Sequence, residues 1–295
     1  MRPSMSRPLR NRAVCALLVA GVLSVVSACG GDADPIDAAT RDPGPEHVHG
    51  LGLNPADGAL YIATHTGLFR MAPGSQDAER VGDRLQDTMG FAIAGPDRFL
   101  GSGHPDLRDD LPPHLGLIES TDAGRSWEPI SLLGEADFHA LHVDGSHVTG
   151  YDASGGRLML SADGGRTWRS SSPPAAVGDV VVDPADSRRL VAAGADGLLR
   201  SPDAGATWSR LAGAPIALAW PTAGALYSVA ADGTVRASAD GGDSWVARAD
   251  LPGEPAAVTA TGEDSLIVAL HDGSFASSAD GGRSWSPGPW AAGQG

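Results

Sequence analysis

Short apolar segments separated by turn-forming residues run through the chain from about residue 46 onward. The segments are rich in Val, Leu, Ile and Ala and are bounded by Gly, Asp, Asn or Pro, a pattern typical of β-strands joined by tight turns. The segments fall into groups of four. One group covers residues 47–53, 59–64, 68–71 and 79–82, and another covers residues 138–143, 148–152, 157–161 and 167–170. The pattern predicts an all-β chain whose strands come four at a time.

An eight-residue motif, S-x-D-x-G-x-[ST]-W, occurs five times in this pattern. Its aspartates are 41, 40, 37 and 40 residues apart. A period near forty that is built from short strands is typical of β-propeller blades. Residues 67–71 align with the segments that lead into the motif, although residues 72–74 lack the aspartate. The repeats therefore predict a six-bladed β-propeller with the motif between the third and fourth strands of five blades.

The motif has a local physical reason. Its serine and aspartate can bond the backbone of a tight turn, its glycine supplies a positive φ, and its tryptophan buries a large ring. The motif resembles the Asp box, or BNR repeat, of sialidases and sortilin-like propellers, which implies turns of structural importance on the face opposite the ligand. We assign that structural role to Asp122, Asp163, Asp203, Asp240, Asp280, Trp127, Trp168, Trp208, Trp245 and Trp285.

The N-terminal region has the features of an export signal. Four arginines precede an apolar run from Ala13 to Val26 that is short for a membrane span, and small residues then precede Cys29. This resembles a bacterial lipoprotein signal, with an ordinary secretory signal as the alternative. We expect a signal peptide over residues 1–28, a lipidated Cys29 with a flexible acidic linker to residue 45, and a propeller over residues 46–295, held at the extracytoplasmic side of the cell membrane.

The chain is acidic, with a formal charge of −15, and removal of the predicted signal peptide with its arginines would make it more so. Nucleic-acid binding requires clustered basic groups, so the charge argues against that class of partner. An acidic surface favours solubility and attracts cations. We expect a monomer.

Polar residues gather where the predicted strands meet one face of the propeller, which we call the top face. Inner strands begin there and second strands end there, on blades 6, 1, 2 and 3, whereas blades 4 and 5 carry Ala, Gly and Ser at the matching places. A ligand site on this face is one interpretation, and separate hydrogen-bonded structural residues are the other. The candidate ligand-binding residues are His47, His49, His65, His104, Asp106, His139, Tyr151, Asp152 and His271.

Imidazoles and carboxylates bind divalent metals such as zinc or copper. The candidate metal ligands are His47, His49, His65, His104 and His139, although their spacing matches no recognised metal motif. No other cofactor is indicated. Hydrogen bonding to a glycan, a peptide or a protein is an equally good use of such a face.

Catalysis is the remaining question, because the repeats resemble those of exported bacterial glycosyl hydrolase-like proteins. A sialidase needs three arginines around the substrate, and outside the repeats Arg84, Arg98 and Arg108 do not form a convincing set. Other glycosidases need two carboxylates, for which Asp106 and Asp152 are the candidates. The sequence thus favours a lipid-anchored propeller that binds a glycan, a peptide or a divalent metal, with an exported BNR-type glycoside hydrolase as the alternative and an assembly or scaffold factor as the third.

Overall fold

A computed structural model describes residues 44–288. This part of the chain is all β: it forms twenty-four strands in six four-stranded antiparallel sheets and contains no helix. It therefore includes no helix long and apolar enough to cross a membrane. The predicted signal peptide, Cys29 and nearly all of the linker lie outside the described residues.

The strands follow one another blade by blade in chain order. Blades 1 and 2 comprise β1 (Val48–Leu53), β2 (Leu60–Thr64), β3 (Gly67–Met71), β4 (Ala78–Arg80), β5 (Asp87–Gly95), β6 (Arg98–His104), β7 (Leu117–Ser120) and β8 (Glu128–Ser131). Blades 3 and 4 comprise β9 (Phe138–Asp144), β10 (His147–Asp152), β11 (Arg157–Ser161), β12 (Arg169–Ser171), β13 (Val177–Asp183), β14 (Asp186–Gly194), β15 (Gly197–Ser201) and β16 (Ser209–Arg210). Blades 5 and 6 comprise β17 (Pro215–Thr222), β18 (Ala225–Ala230), β19 (Val235–Ser238), β20 (Val246–Ala247), β21 (Pro255–Ala260), β22 (Leu266–Leu270), β23 (Phe275–Ser278) and β24 (Ser286–Pro287).

The six sheets form a closed ring. Each blade is a meander of consecutive strands, and the first strand of every blade contacts the first strand of the next, with β21 returning to β1. The second strands are buried over much of their length, and β2 wholly so, whereas the short fourth strands lie at the exposed outer edge of the ring. The predicted six-bladed β-propeller is confirmed, and the strands expected in blades 1 and 3 lie within a few residues of their observed positions.

The five repeats adopt one turn, which we call the box turn, between the third and fourth strands of blades 2 to 6. In blade 3, Ser161 Oγ accepts from the Gly165 N–H at 2.8 Å, and Asp163 Oδ1 accepts from the Thr167 N–H at 2.9 Å. Asp163 Oδ2 accepts from the Thr167 hydroxyl at 2.7 Å. The other four copies have the same three bonds, so residues of the motif itself close each turn.

The tryptophan of each box turn packs against the preceding blade. Trp168 lies against Phe138 with ring centroids 5.1 Å apart, in an apolar cluster that Leu100 and Leu117 of blade 2 complete. The other four tryptophans occupy matching clusters between blades 1 and 2, 3 and 4, 4 and 5, and 5 and 6. Blade 1 has no box turn, and the cluster between blades 6 and 1 contains no tryptophan among the described residues. This junction, which we call the closing seam, is held by aliphatic side chains together with Phe69 and Phe275.

Acid should destabilise the propeller through its box turns. The hydroxyl of Thr167 lowers the pKa of Asp163, and that of Ser284 lowers the pKa of Asp280 to about 2. A folded-state pKa below the unfolded value of about 3.9 stabilises the fold above that pH, and this contribution is lost as the pH falls from about 4 toward 2. We expect the melting temperature to fall steeply below pH 4, and the dependence to be shallower in Asp163→Asn.

The matched control is Asp144→Asn, which removes an exposed aspartate whose carboxylate makes no hydrogen bond or ion pair in the described structure. It should keep the full pH dependence. Identical acid profiles for Asp163→Asn and the unmodified protein would show that the box turns do not carry the effect.

Candidate functional site

Six of the nine histidines converge at one edge of blades 1, 2 and 3. The starts of β1, β5 and β9 and the ends of β2 and β6 meet there because adjacent strands in each blade are antiparallel. Two aspartates lie among the rings. We call the whole set the histidine–aspartate rim, and it consists of a first cluster (His47, His49, His65 and Asp87) and a second cluster (His104, His114, His139 and Asp137).

The first cluster lies between blades 1 and 2. Asp87 Oδ1 is 3.6 Å from His49 Nε2 and 2.9 Å from His65 Nδ1. The ring of His65 packs edge-on against His49, with centroids 4.4 Å apart, and against His47, with centroids 5.2 Å apart. His47 itself has a φ of 52°, a left-handed conformation that is unusual for a residue other than glycine. Two imidazoles thus face one carboxylate oxygen, and a third, His47, packs behind them.

The second cluster lies between blades 2 and 3. Asp137 Oδ2 is 2.9 Å from His139 Nε2, 3.7 Å from His104 Nε2 and 3.9 Å from His114 Nδ1. The Asp137 side chain is only 8% exposed, whereas the three rings are 31–40% exposed. The carboxylate therefore forms the floor of a shallow depression, with the imidazoles around it.

His104 joins the two clusters. Its Nδ1 lies 3.3 Å from Asp87 Oδ2, while its Nε2 faces Asp137. The two carboxylates are consequently separated by the width of one imidazole ring. The six histidines and two aspartates form one continuous group rather than two independent sites.

Backbone geometry brings Asp87 close to His104. Gly103, which precedes His104 at the end of β6, has a φ of +134°. A Cβ at this position would lie 2.1 Å from the carbonyl oxygen of Asp87, so any other residue would push β6 away from β5. Glycine is required here for the close approach of the two strands.

Two further aspartates hold the rim in place. Asp152 Oδ1 accepts from the backbone N–H of Asp137 at 3.1 Å. Asp106 Oδ2 accepts from the N–H of Leu85 at 2.7 Å, which ties the loop after β6 to the segment that leads into Asp87. Each carboxylate therefore helps to position a rim residue by binding backbone: Asp152 binds at Asp137 itself, and Asp106 binds two residues before Asp87.

Unsatisfied polar atoms concentrate in the rim. Six buried side-chain nitrogen or oxygen atoms of the described residues have no hydrogen-bond partner, and four of them are His49 Nε2, Asp87 Oδ1, His114 Nδ1 and Asp137 Oδ1. The short approach of His65 to Asp87 Oδ1 is an ion-pair distance without hydrogen-bond alignment. An unpartnered buried polar atom costs roughly 1–3 kcal/mol, so four at one place point to a ligand that binds them.

The protonation states suit a cation. Burial, together with the neighbouring His65, lowers the pKa of His49 to about 4, so this ring is neutral at pH 7 and offers a lone pair. The hydrogen bond to Asp137 raises the pKa of His139. Burial tends to raise the pKa of Asp137, but the hydrogen bond and charge of His139 outweigh it and the net pKa is lowered. At pH 7 the rim thus offers the neutral ring of His49 and the ionised carboxylate of Asp137, while His139 holds its proton more firmly than a free imidazole.

All five histidines that the sequence indicated as metal ligands lie in the rim, namely His47, His49, His65, His104 and His139. The other candidates lie outside it. Tyr151 packs in the apolar cluster between blades 3 and 4, and His271 is exposed, with no side-chain hydrogen bond or ion pair in the described structure.

The two candidate catalytic carboxylates are also engaged elsewhere. Asp106 binds the Arg108 guanidinium, which lowers the pKa of Asp106, and Asp152 binds Arg157 at 2.9 Å. Burial tends to raise the pKa of Asp152, but hydrogen bonds from Ser154 and the Asp137 N–H lower it overall. Neither group retains a proton at neutral pH, so neither is prepared to act as a general acid.

Sequence reasoning missed Asp87, Asp137 and His114. The repeat alignment contained the signal for two of them, because Asp87 opens the inner strand of blade 2 as His49 opens that of blade 1, and Asp137 lies two residues before His139 on the same face. His114 ends the long loop after β6, and only the folding of that loop brings it to His104, with ring centroids 5.8 Å apart.

The central channel begins beside the rim. A cavity of about 630 Å³ is lined by the inner strands of all six blades and includes His49, His139 and His142. Burial lowers the pKa of His142 to about 4, and burial raises the pKa of Asp179, which also lines the channel, to about 6. Asp179 accepts from the Leu218 N–H at 2.7 Å, so it connects blades 4 and 5.

Comparison with known proteins gives partial matches. A xyloglucanase from Paenibacillus sp. is 30% identical over 129 residues, which is 34% of this chain and 13% of that protein. The dispase autolysis-inducing protein of Streptomyces mobaraensis is 31% identical over 157 residues, which is 52% of this chain and 38% of that protein. No protein-family model matches the chain.

Solved structures agree on the fold. The GH74 enzyme of Niastella koreensis superimposes with a TM-score of 0.60 at 17% identity, covering 83% of this chain and 45% of that one. The GH74 xyloglucanase of Xanthomonas campestris gives 0.56 at 20% identity, with 83% and 45% covered. This chain spans less than half the length of each of these four proteins. These two structural neighbours are GH74 proteins, and at these identities the likeness shows the fold.

Proposed function

We propose that this chain is an exported, lipid-anchored β-propeller that binds a divalent transition-metal ion, Zn²⁺ or Cu²⁺, on the histidine–aspartate rim. The observation that carries the proposal is the set of four buried, unpartnered atoms, two imidazole nitrogens and two carboxylate oxygens, at a single place in the fold. Divalent ions accept electron pairs from these atom types.

The donor set favours zinc or copper over magnesium or calcium. Imidazole nitrogen suits Zn²⁺ and Cu²⁺, whereas the lighter ions prefer sites made of oxygen alone. Three-ligand groups with donor atoms close enough to share an ion occur in both clusters, His49, His65 and Asp87 in one and His104, His114 and Asp137 in the other. The acidic chain would attract cations from solution.

Export and lipid attachment rest on the sequence around Cys29. They would place the rim outside the cytoplasm, where the protein would meet metal ions, or partners that carry them, at the cell surface. The proposal for the rim does not depend on the anchor, because the chemistry resides entirely in blades 1 to 3.

Zn²⁺ binding to His49→Ala tests the proposal. The unmodified protein, freed of metal with a chelator, should bind Zn²⁺ in isothermal titration calorimetry and show a higher melting temperature with the ion. His49→Ala should weaken binding by roughly tenfold or more, because it removes a neutral imidazole donor. His147→Ala is the matched control, since His147 is exposed at the start of β10, the end of that strand away from the rim, and should bind normally.

Two outcomes would contradict the proposal. One is the absence of Zn²⁺ and Cu²⁺ binding by the unmodified protein. The other is unchanged affinity in His49→Ala together with a lower melting temperature of the metal-free variant, which is what a purely structural histidine predicts.

A glycoside hydrolase is the second candidate, and the comparisons with known proteins favour it. A xyloglucanase is among the relatives, and Asp87 and Asp137 flank His104 as two carboxylates, the pair of groups that most glycosidases use. The contacts of the site favour metal binding instead, because the net pKa of Asp137 is lowered and a general acid needs the opposite. Release of reducing ends from xyloglucan, abolished by Asp87→Asn and by Asp137→Asn, would reverse this order.

A further inference from the structure

We infer that the rim holds two divalent ions, one in each cluster, and that the Asp87–His104 contact couples them; this rests on the proposed function. The first ion would take His49, His65 and Asp87. The second would take His104, His114 and Asp137. In each trio the donor atoms lie within 4.8 Å of one another, so a single ion can reach all three.

The two trios share no donor atom. Asp87 Oδ1 faces His49 and His65, whereas Asp87 Oδ2 faces His104. His104 presents Nε2 to Asp137, so its Nδ1 remains for Asp87. One ion cannot use all of these atoms, because His104 separates the two aspartates. The unpartnered atoms divide in the same way, with His49 Nε2 and Asp87 Oδ1 in the first cluster and His114 Nδ1 and Asp137 Oδ1 in the second.

The two remaining histidines support the sites from outside the trios. His139 Nε2 lies 2.9 Å from Asp137 Oδ2 and orients this carboxylate in the second cluster. The ring of His47 is exposed and lies against His65, a ligand in the first cluster. Each ion would be balanced by its own carboxylate, which reduces the repulsion between two nearby cations.

The contact between Asp87 and His104 would orient a metal ligand. A histidine that binds a metal through one nitrogen commonly donates its other N–H to a carboxylate, which fixes the tautomer and the ring orientation. Here the carboxylate that would receive the proton of His104 Nδ1 is Asp87, itself a ligand in the first cluster. Asp87 is therefore both a ligand for one ion and a positioning residue for the other.

The stoichiometry of Zn²⁺ binding tests the inference on the full chain. We expect two ions per chain by titration calorimetry and by elemental analysis after dialysis. His65→Ala should leave one ion by removing the first site, and His114→Ala should leave one by removing the second. Asp87→Asn should abolish the first site and weaken the second by roughly 10–100-fold, as loss of an orienting carboxylate does, which His65→Ala should not. His147→Ala again serves as the control.

The results separate this inference from the proposed function. One ion per chain in the unmodified protein would overturn the two-ion inference and leave metal binding intact. Two ions per chain in the unmodified protein, together with unchanged affinity of the second site in Asp87→Asn, would overturn the coupling. Absence of binding would overturn the proposed function and this inference with it. Far-ultraviolet circular dichroism of each metal-free variant should match that of the unmodified protein, because none of these side chains lies in the apolar clusters.

Discussion

The double variant Asp87→Asn, Asp137→Asn should bind Zn²⁺ at least about a hundredfold more weakly than the unmodified protein. The two carboxylates are the only anionic groups among the eight side chains of the rim, and each contacts three imidazoles. An amide keeps the size of the side chain but removes the charge and offers an N–H₂ where an electron pair is needed. Competition with a zinc-binding dye would measure the change.

Loss of charge alone has to be separated from loss of ligands. Asp83→Asn combined with Asp110→Asn also removes two negative charges, but from exposed positions in the neighbouring top-face loops. Because these aspartates do not contact the imidazoles, this variant should keep its Zn²⁺ affinity within about threefold, the change expected from a weak, screened surface field. Equal losses in the two double variants would mean that the acidic surface, and not the rim, binds the metal.

Asp152→Asn should lower the free energy of unfolding by about 2–4 kcal/mol, which chemical denaturation would measure. The Asp152 side chain is fully buried and binds Arg157, the Ser154 hydroxyl and the Asp137 N–H. The amide would weaken the bond to Arg157 and leave one of these donors poorly matched. Since Arg157 is 40% exposed and can be hydrated, the effect lies toward the lower end of values for buried ion pairs.

A surface pair provides the control. Asp186 and Arg188 form a similar ion pair at 3.1 Å, but their side chains are 32% and 73% exposed. Asp186→Asn should therefore change the free energy of unfolding by less than about 1 kcal/mol. A catalytic Asp152 would behave differently: its amide variant would keep full stability and lose activity, and that result would refute the structural role.

The propeller could be predicted from the sequence because its signal is local and repeated. Each box turn is closed by bonds within eight residues, and Trp168 illustrates how the last residue of the motif then reaches the preceding blade. The degenerate first blade could be recognised by the alignment of residues 67–71 with the segments that lead into the other box turns. Blade 1 lacks a box turn because Ala72-Pro73-Gly74 stand where the motif would have its aspartate. That the closing seam therefore contains no tryptophan among the described residues could be seen only from the packing of the folded chain.

The site could be predicted only in part. Histidines are few, and the blade topology places His49, His65 and His104 at one edge, so their convergence followed from the repeat. Aspartates are common in this chain, and position alone could not distinguish Asp137, which faces imidazoles, from Asp152, which faces Arg157. Both bonds join residues close in sequence, so the backbone conformation of the folded chain decides which side chain each carboxylate meets.

We expect the ring to open first at the closing seam. Every other junction contains the tryptophan of a box turn, whereas blades 6 and 1 meet through aliphatic side chains, Phe69 and Phe275, without a shared strand among the described residues. Opening there would turn the ring into an open arc of six blades that keeps all five tryptophan contacts. Blades 1 to 3 are consecutive in the chain, so the rim would remain intact in the arc. Metal bound at the proposed rim sites would then protect blades 1 to 3 from proteases, and blade 6 would be the first segment to be cut.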